Sequence, residues 1–429
     1  MRIVLYLLSF IALSNSNHLM AQGLCGQTAY LTYLETLNHG FIEAAENTFF
    51  TALRESKIKT KRQQDTVFKI NVVFHIVYNT AQQNIDDSLV YSQLRIMNEA
   101  FRRTNADTTN TREIFKPFAA DAGIEFVIAR QDPDGNPSTG IIRKETTRGT
   151  FGTNPIDISV ADLVKNGNMG STPWDTDKYL NIWICDLSFG GIEGLLGYAY
   201  PPTGSANWAG DISFSSSDNQ GVVCHYTIVG ENNPLSSATG SKTMVHEVGH
   251  YLGLRHIWGD GGCAVDDFMD DTPLSGRANS ICNKRINTCN EIVGDDFPDM
   301  LENYMDYANE ACQNLFTNDQ VAHMRTNLRM FRSGIYVEQH NAEADLDLTG
   351  VYPNPVVEGK LTIYLKNVDV NDTYDMTLYN LLGQPILVWN LEAVSNQQII
   401  GFLGLQGAYI FKIRQGGEQI ATGKLLMGQ

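Results

Sequence analysis

Three histidines and one glutamate lie within eleven residues, in the spacing H-E-x-x-H-x-x-G-x-x-H. Apolar residues around them recur at helical spacing, so His246 and His250 lie one turn apart on the same face of the helix expected over 242–252. One turn is the separation at which two imidazoles can bind one zinc ion, and Gly253 lets the chain turn back so that His256 becomes a third ligand. Glu247 lies beside this pair, where it can accept a proton from water at the ion. Three protein ligands leave the fourth position to water, which indicates a catalytic zinc.

The motif and a second segment together resemble the metzincin metallopeptidases. Residues 302–307 have the sequence E-N-Y-M-D-Y, which looks like the methionine turn beneath the metal of those enzymes. Within the metzincins, the chain is most similar to the pappalysin family over residues 67–335. The resemblance implies a zinc metalloendopeptidase in which Met305 forms an apolar floor under the zinc. It also implies that Tyr307 approaches the metal and helps to stabilise the oxyanion, while Glu247 is the general base in peptide-bond hydrolysis.

Composition and charge limit the possible partners. The chain has 429 residues, 43% of them apolar, and a net charge of −17, which argues against nucleic acid and anionic membrane surfaces as partners. The charge does not by itself name a substrate; the family resemblance implies protein or peptide substrates. Arg2 and the apolar run at 3–13 predict a signal peptide at 1–22 and a secreted protein, which we expect to be a monomer. The run is too short to span a membrane, and none follows it. A lipid anchor at Cys25 is disfavoured because Gly-Leu before it makes a poor lipobox.

The segment 23–66 is polar and looks like a prosegment, with a helix around 27–54. A thiolate is a good zinc ligand, so Cys25 could fill the open fourth position until the segment is removed. Pappalysins are similar in carrying such a cysteine switch, which implies a latent zymogen. The alternative is that Cys25 is an inert cysteine.

Seven cysteines in an exported chain favour disulfides. Four of them follow the zinc motif, and four cysteines allow three pairings. The family resemblance implies the pairs Cys263–Cys289 and Cys282–Cys312. Cys185 and Cys224 lie in runs typical of strands, and they are either buried thiols or a third bridge.

Strands and helices alternate before the zinc motif. The sequence predicts a helix at 88–103 and strands at 67–78, 124–129, 140–144, 180–187 and 221–229. This order fits an α/β (α+β) metzincin catalytic domain with a twisted mixed sheet, an active-site helix and an irregular lower subdomain after Gly253. We expect segment 221–229 to be an edge strand that binds an extended substrate, with His225 as a packing residue.

A cluster of aspartates and a single glutamate could also bind ligands. Five aspartates, Asp260, Asp266, Asp267, Asp270 and Asp271, are crowded after the motif. Together with the family resemblance, this predicts a calcium ion at Asp266, Asp267, Asp270 and Asp271; the alternative is a solvated acidic loop. The resemblance also implies that Glu310 lines the pocket for the side chain just after the cleaved bond. A carboxylate there would favour cleavage N-terminal to Arg or Lys.

The C-terminal part changes character after a polar linker at 336–347. Residues 348–429 contain short alternating strands that predict a small all-β sandwich. The Y-P-N-P opening, the N-L-L-G-Q turn and the G-A-Y-I-F-K-I strand resemble the sorting domain of type IX secretion substrates, which implies the type IX machinery as a partner. Without the resemblance, a carbohydrate-binding or adhesive sandwich fits equally well.

Taken together, these features predict a secreted zinc endopeptidase that is made as a latent zymogen. A non-catalytic, zinc-stabilised adhesin is the alternative from another class, and a zinc enzyme that acts on other bonds is a third. Glu247→Ala separates the endopeptidase from the adhesin, because it should abolish hydrolysis and leave zinc and binding intact.

Overall fold

The computed structural model describes residues 24–58, 66–192, 194–203, 220–233, 241–290, 296–340, 350–357, 360–364, 373–391, 397–401 and 405–427. The expected signal peptide at 1–22 lies outside these residues. The chain divides into two compact units, of which the larger includes Phe68–Glu338 and the smaller includes Gln339–Gln429. Within the described residues, no helix combines the length and apolar character that crossing a membrane requires.

Helices and strands alternate irregularly along the chain up to residue 340. They are β1 (Leu24–Cys25), α1 (Gln27–Leu37), α2 (Phe41–Ser56), β2 (Thr66–Tyr78), α3 (Asp87–Phe101), β3 (Ala119–Ala120), β4 (Ile124–Ile128), β5 (Ile141–Glu145), α4 (Ile158–Ala161), β6 (Leu180–Cys185), β7 (Leu195–Ala199), β8 (Val222–His225), α5 (Thr243–Tyr251), β9 (Phe316–Thr317), α6 (Asn318–Phe331) and β10 (Tyr336–His340). Short 3-10 helices cover Ala106–Asn110, Asp162–Lys165 and Tyr226–Ile228.

One mixed sheet forms the centre of the larger unit. Its strand order is β1-β7-β8-β6-β2-β10, and β4 and β5 pair with successive parts of β2. Strands β4, β5 and β6 run parallel to β2, and β8 runs parallel to β6, whereas β7 is antiparallel to β8. Strands β6, β7 and β8 are buried along their whole length because helices and loops cover both faces. The predicted α/β fold with a twisted mixed sheet is confirmed.

The two faces of this sheet form separate apolar cores, because successive side chains of a strand point to opposite faces. In β6, Ile182 and Ile184 belong to the core beneath α3 and α5, whereas Trp183 and Cys185 belong to the core on the other face. Tyr30 and Leu34 of α1 are 0% and 2% exposed in this second core. The segment expected to be a prosegment is therefore packed into the unit.

Three sequence expectations differ from the structure. The single helix expected over 27–54 is two helices, because Gly40 has φ 92° and turns the chain between α1 and α2. The strand expected to lie at the edge, β8, lies between β6 and β7 because β7 folds back antiparallel onto it. The linker expected from residue 336 begins later, because Tyr336–His340 is strand β10 beside β2, with the ring of Tyr336 4.6 Å from that of Phe68.

The smaller unit contains strands only, among its described residues. They are β11 (Gly350–Val357), β12 (Lys360–Tyr364), β13 (Tyr374–Tyr379), β14 (Pro385–Leu391), β15 (Gln397–Gly401), β16 (Gly407–Gln415) and β17 (Glu418–Met427). Their hydrogen-bonded order is β14-β13-β16-β17-β11-β12-β15. Alternate residues of several strands form one core that includes Ile363, Met376 and Ile413. The expected C-terminal all-β unit is present.

The register of β6 and β8 decides between the two possibilities for Cys185 and Cys224. Ile184 lies opposite Cys224, and Cys185 lies opposite His225, so the two cysteines are offset by one residue. Their side chains therefore point to opposite faces of the sheet, and each belongs to a different core. Both are free buried thiols.

We expect three free thiols in the unreduced precursor, which are Cys25, Cys185 and Cys224. Mass spectrometry after alkylation of the denatured, unreduced chain should show three labelled cysteines. The reduced sample, with all seven cysteines available, is the control. A single label in the unreduced sample would mean that Cys185 and Cys224 are joined.

Candidate active site

Helix α5 carries the zinc motif, and its two ends are fixed by specific contacts. The Glu310 carboxylate accepts hydrogen bonds from the backbone N–H groups of Lys242 and Thr243, at 2.8 and 3.1 Å, so it caps the positive end of the helix. At the other end Gly253 has φ 99°, and a Cβ there would lie 2.4 Å from Nδ2 of Asn327. Only glycine fits this turn without strain, and the turn sends the chain back toward His256.

The three histidines converge as the motif predicts. Nε2 of His250 lies 3.1 Å from Nε2 of His246 and 3.1 Å from Nε2 of His256. Each ring is oriented through its other nitrogen, Nδ1. This atom donates to Tyr304 O at 2.7 Å in His246, to Leu254 O at 2.8 Å in His250 and to the Asp260 carboxylate at 2.6 Å in His256. The three Nε2 atoms thus face the same point, and in a neutral ring with a proton on Nδ1 the Nε2 atom is free to bind a metal ion.

This donor set fits a zinc ion. Bonds of about 2.0–2.1 Å in a tetrahedral arrangement place ligand nitrogens about 3.3 Å apart, close to the observed spacing. Burial lowers the pKa of His246 to about 3 and that of His250 well below its usual value, so these rings are neutral at neutral pH, as metal binding requires. Together with Cys25, the histidines are the one group of three or more His, Cys, Asp or Glu in the described part of the chain whose ligand atoms lie within 4.8 Å of one another.

Glu247 lies beside the histidines and is fully buried. Its Oε1 has no hydrogen-bond partner among the described residues, and its Oε2 lies 3.5 Å from the sulfur of Cys25. Burial raises the pKa of Glu247 to about 8. A carboxylate oxygen with no partner in a closed site is suited to accept a proton.

Met305 lies beneath the helix and Tyr307 lies beside the metal ligands. A Cβ on Gly249 would come within 2.5 Å of the Met305 sulfur, so the absence of a side chain there lets the methionine contact α5 between the two histidines. The ring of Tyr307 is 5.6 Å from that of His246 and 5.0 Å from that of His256.

Cys25 reaches the metal ligands through a short parallel strand on β7. The N–H of Gly26 donates to Gly197 O at 2.8 Å, and Cys25 lies opposite Gly197 in the register of β1 and β7. Burial and the neighbouring Glu247 carboxylate raise the pKa of the Cys25 thiol, and a hydrogen bond from Tyr307 opposes this rise. The N-terminal segment therefore covers both the metal ligands and the outer edge of β7.

The structure forms the two disulfides Cys263–Cys289 and Cys282–Cys312. Glu310 is 3% exposed, so it is a buried carboxylate at the start of α5 and not a solvated one.

The four aspartates after the motif do not converge on one point. Asp266 and Asp267 interact directly, whereas exposed Asp270 pairs with Lys57 at 2.8 Å and Asp271 accepts from the N–H of Asp319 at 3.0 Å. Burial raises the pKa of Asp267 well above its usual value and that of Asp271 to about 6.

Two residues at the site are not apparent from sequence reasoning. Asp260 holds Nδ1 of His256, although in the sequence it looks like one more member of the acidic cluster. Trp258 stacks on the His256 ring with centroids 4.2 Å apart and planes at 7°. The sequence signal that could have identified Asp260 is its spacing, because it lies four residues after His256.

We expect Asp260→Asn to lower zinc affinity by about 10- to 100-fold, because an uncharged amide is a weaker acceptor for Nδ1 of His256 and leaves its Nε2 less basic. Competition with a chromogenic zinc chelator measures this. Asp270→Asn is the matched control, since Asp270 is exposed and contacts Lys57. Equal affinities of the two variants would contradict the role of Asp260.

Comparisons with known proteins agree with this geometry. The profile of pregnancy-associated plasma protein-A, peptidase family M43, matches residues 164–329, and that of a secretion system C-terminal sorting domain matches residues 350–427. Mature mirolysin of Tannerella forsythia, solved with a cleaved peptide, is 38% identical; the match covers 63% of this chain and 98% of that one, with a TM-score of 0.53. A promirolysin mutant of the same organism is 35% identical over 73% of this chain and 96% of that one, with a TM-score of 0.60. An extracellular metalloprotease of Arthroderma gypseum is 26% identical over 78% of this chain and 92% of that protein.

These matches exclude the non-catalytic adhesin. One conclusion follows from the three imidazoles around one point, the neighbouring carboxylate and the extent of the similarity to mirolysin. The chain belongs to the pappalysin family (M43) of zinc metalloendopeptidases and is secreted by way of a type IX sorting domain.

Proposed function

We propose that this enzyme hydrolyses peptide bonds with Glu247 as the general base and that its precursor is latent. Zinc, when bound, lowers the pKa of water and polarises the substrate carbonyl. Glu247 accepts the proton of the attacking water and returns it to the leaving amine. The observation that carries the proposal is the buried Oε1 of Glu247, which has no partner in the described part of the chain and lies beside three converging histidines. Tyr307 would stabilise the oxyanion, and Met305 would form the apolar floor.

The outer edge of β7 is the place where we expect an extended substrate to bind. Strand β1 occupies this edge through the bond from Gly26 N to Gly197 O, and the side chain of Gln27 accepts from the N–H of Ala199 at 3.2 Å. Removal of the N-terminal segment exposes these backbone groups next to the zinc ligands. A substrate strand can then form the same kind of hydrogen bonds.

We expect Glu247→Ala to reduce peptide hydrolysis by a thousandfold or more, on the order of the loss of a general base together with its electrostatic contribution. Zinc content should stay at one ion per chain, because the histidines are unchanged. A quenched fluorescent peptide library and metal analysis provide the two readouts. Glu113→Ala is the control, since that glutamate is 85% exposed. Retained hydrolysis in Glu247→Ala would exclude the proposed base.

Latency would depend on Cys25 as a fourth ligand and on contacts that hold the N-terminal segment in place. The guanidinium of Arg255 lies 3.9 Å from the ring centroid of Phe49 and forms an ion pair with Glu46 at 2.7 Å. These contacts place α2 against the turn between Gly253 and His256. Cys25 is thereby presented to the histidines from the side where water would otherwise enter.

We expect Cys25→Ala to give a full-length precursor at least about tenfold more active than the unchanged precursor, because water replaces the sulfur at the metal. Activity is measured before any cleavage is visible by mass spectrometry. Cys185→Ala, which alters a buried thiol away from the site, should remain latent. If both variants are equally inactive, the cysteine switch is wrong.

Glu310 is the residue that we propose for the preference for Arg or Lys after the cleaved bond. This proposal is supported by the position of the Glu310 carboxylate, which is nearly fully buried and contacts the first residues of the zinc helix. An arginine guanidinium could bind such a carboxylate through two hydrogen bonds. Sequencing of the cleaved products of a peptide library should show basic residues at this position, and a flat profile would contradict the assignment.

Calcium would bind near Asp266 and Asp267, with Asp270 and Asp271 as further ligands. One carboxylate oxygen each of Asp266, Asp267 and Asp271 is buried without a hydrogen-bond partner among the described residues. A divalent cation would offset the cost of burying these charges. Calcium should raise the melting temperature of the EDTA-treated protein after zinc is restored, and no change would argue for a solvated loop.

We also propose how the chain is divided into segments. Residues 1–22 would be a signal peptide, 23–66 the prosegment, 67–335 the catalytic domain and 348–429 the domain that the type IX machinery recognises. Because β10 extends to His340, the linker would start after it. Terminal sequencing and size-exclusion chromatography of the secreted protein test these boundaries and the expected monomer.

A further inference from the structure

Tyr30 of α1 is held in a pocket whose floor consists of charged residues outside the N-terminal segment. Its ring is fully buried, and its hydroxyl oxygen accepts a hydrogen bond from Nζ of Lys165 at 2.8 Å. The Lys165 ammonium forms an ion pair with Asp162 at 2.7 Å, and the hydroxyl of Tyr198 donates to the same carboxylate at 3.2 Å. The floor is therefore already paired within the catalytic part of the chain.

The walls of the pocket are aromatic. The Tyr30 ring lies 4.7 Å from the ring of Tyr198 and 6.2 Å from that of Tyr200, both in tilted or edge arrangements. Nζ of Lys165 lies 4.8 Å from the Tyr30 centroid and 5.3 Å from that of Tyr198. Aromatic walls with an ammonium and a carboxylate at the base are complementary to a phenol, which has an apolar ring and one polar tip.

The pocket adjoins the edge at which we expect substrates to bind. Tyr198 follows Gly197, the residue that pairs with Cys25, and both lie on β7. The side chain of Tyr198 belongs to the core on the sheet face opposite the zinc helix. A polypeptide that reaches both places must cross the edge of β7, as the N-terminal segment does between Cys25 and Tyr30.

We propose that Lys165, Asp162, Tyr198 and Tyr200 form a tyrosine-binding subsite for protein substrates in the mature enzyme. The proposal rests on the proposed function, because the pocket opens only when the prosegment leaves. Since its polar floor keeps its own ion pair, the subsite is preformed and needs no rearrangement to receive a phenol. It would select substrates with a tyrosine at a fixed distance from the cleaved bond.

A peptide of residues 26–53 is the probe for binding. It contains Tyr30, lacks Cys25 and has no Arg or Lys, so it avoids both the metal ligand and the expected cleavage preference. Calorimetry with the mature, zinc-loaded enzyme should show about tenfold weaker binding for Tyr30→Phe, which loses one hydrogen bond to a charged group. Binding should fall about a hundredfold for Tyr30→Ala. Tyr33→Phe is the matched control, and binding of Tyr30→Ala equal to that of the unchanged peptide would overturn the subsite.

The enzyme side is tested with Lys165→Met, which keeps most of the side-chain volume and removes the ammonium. It should bind the probe about tenfold more weakly. Product sequencing from a protein digest should show tyrosine enriched at one position for the unchanged enzyme and not for the variant. Probe binding without tyrosine enrichment would overturn the assignment to substrates. The peptide series does not depend on the folding of Lys165→Met, and it reports on the pocket separately from the Glu247 experiment on hydrolysis.

Discussion

The rest of this structure depends on three buried imidazole rings that are fixed in orientation. A ring that is free to rotate, or that carries a proton on Nε2, cannot share one metal ion with two others. The fold meets this condition with an acceptor for each Nδ1, of which two are backbone carbonyl groups and one is the Asp260 carboxylate. Those acceptors come from the methionine turn, the turn after α5 and the loop beyond it. The irregular lower half of the unit therefore serves the site as directly as the helix does.

The second organising feature is the edge of β7, where the N-terminal segment binds. Strand β1 places Cys25 at the metal ligands, and α1 continues around the edge into the core on the other face of the sheet. The latency that we propose would thus depend on more than a single contact at the metal ligands. The same segment covers Glu247, the outer edge of β7 and the pocket of Tyr30, which are the three places that we propose for catalysis and substrate binding.

Local spacing predicts the core of the site, whereas residues that depend on long-range register are not predictable in this way. His246, His250 and His256 follow from one helical turn and one glycine, and Cys25 follows from its chemistry in an exported precursor. Strand β7 escapes prediction because it is short, buried on both faces and interrupted by Gly197, so it has no alternating pattern. The offset of Cys185 and Cys224 depends on pairing between β6 and β8, which no local pattern specifies. Helix α6 does have a local signal, since Thr317 and Gln320 form a capping box, but neighbouring polar residues obscure its amphipathic pattern.

The cap on α5 and the cleavage preference that we propose both depend on the side chain of Glu310. The Glu310 carboxylate that we propose for the recognition of basic residues also accepts hydrogen bonds from backbone amide groups at the start of the zinc helix. A replacement that redirects cleavage toward apolar residues would also uncap that helix and loosen the turn on which His246 sits. Attempts to re-engineer selectivity at this position would thus need a compensating helix cap elsewhere, such as a new acceptor at Lys242 or Thr243.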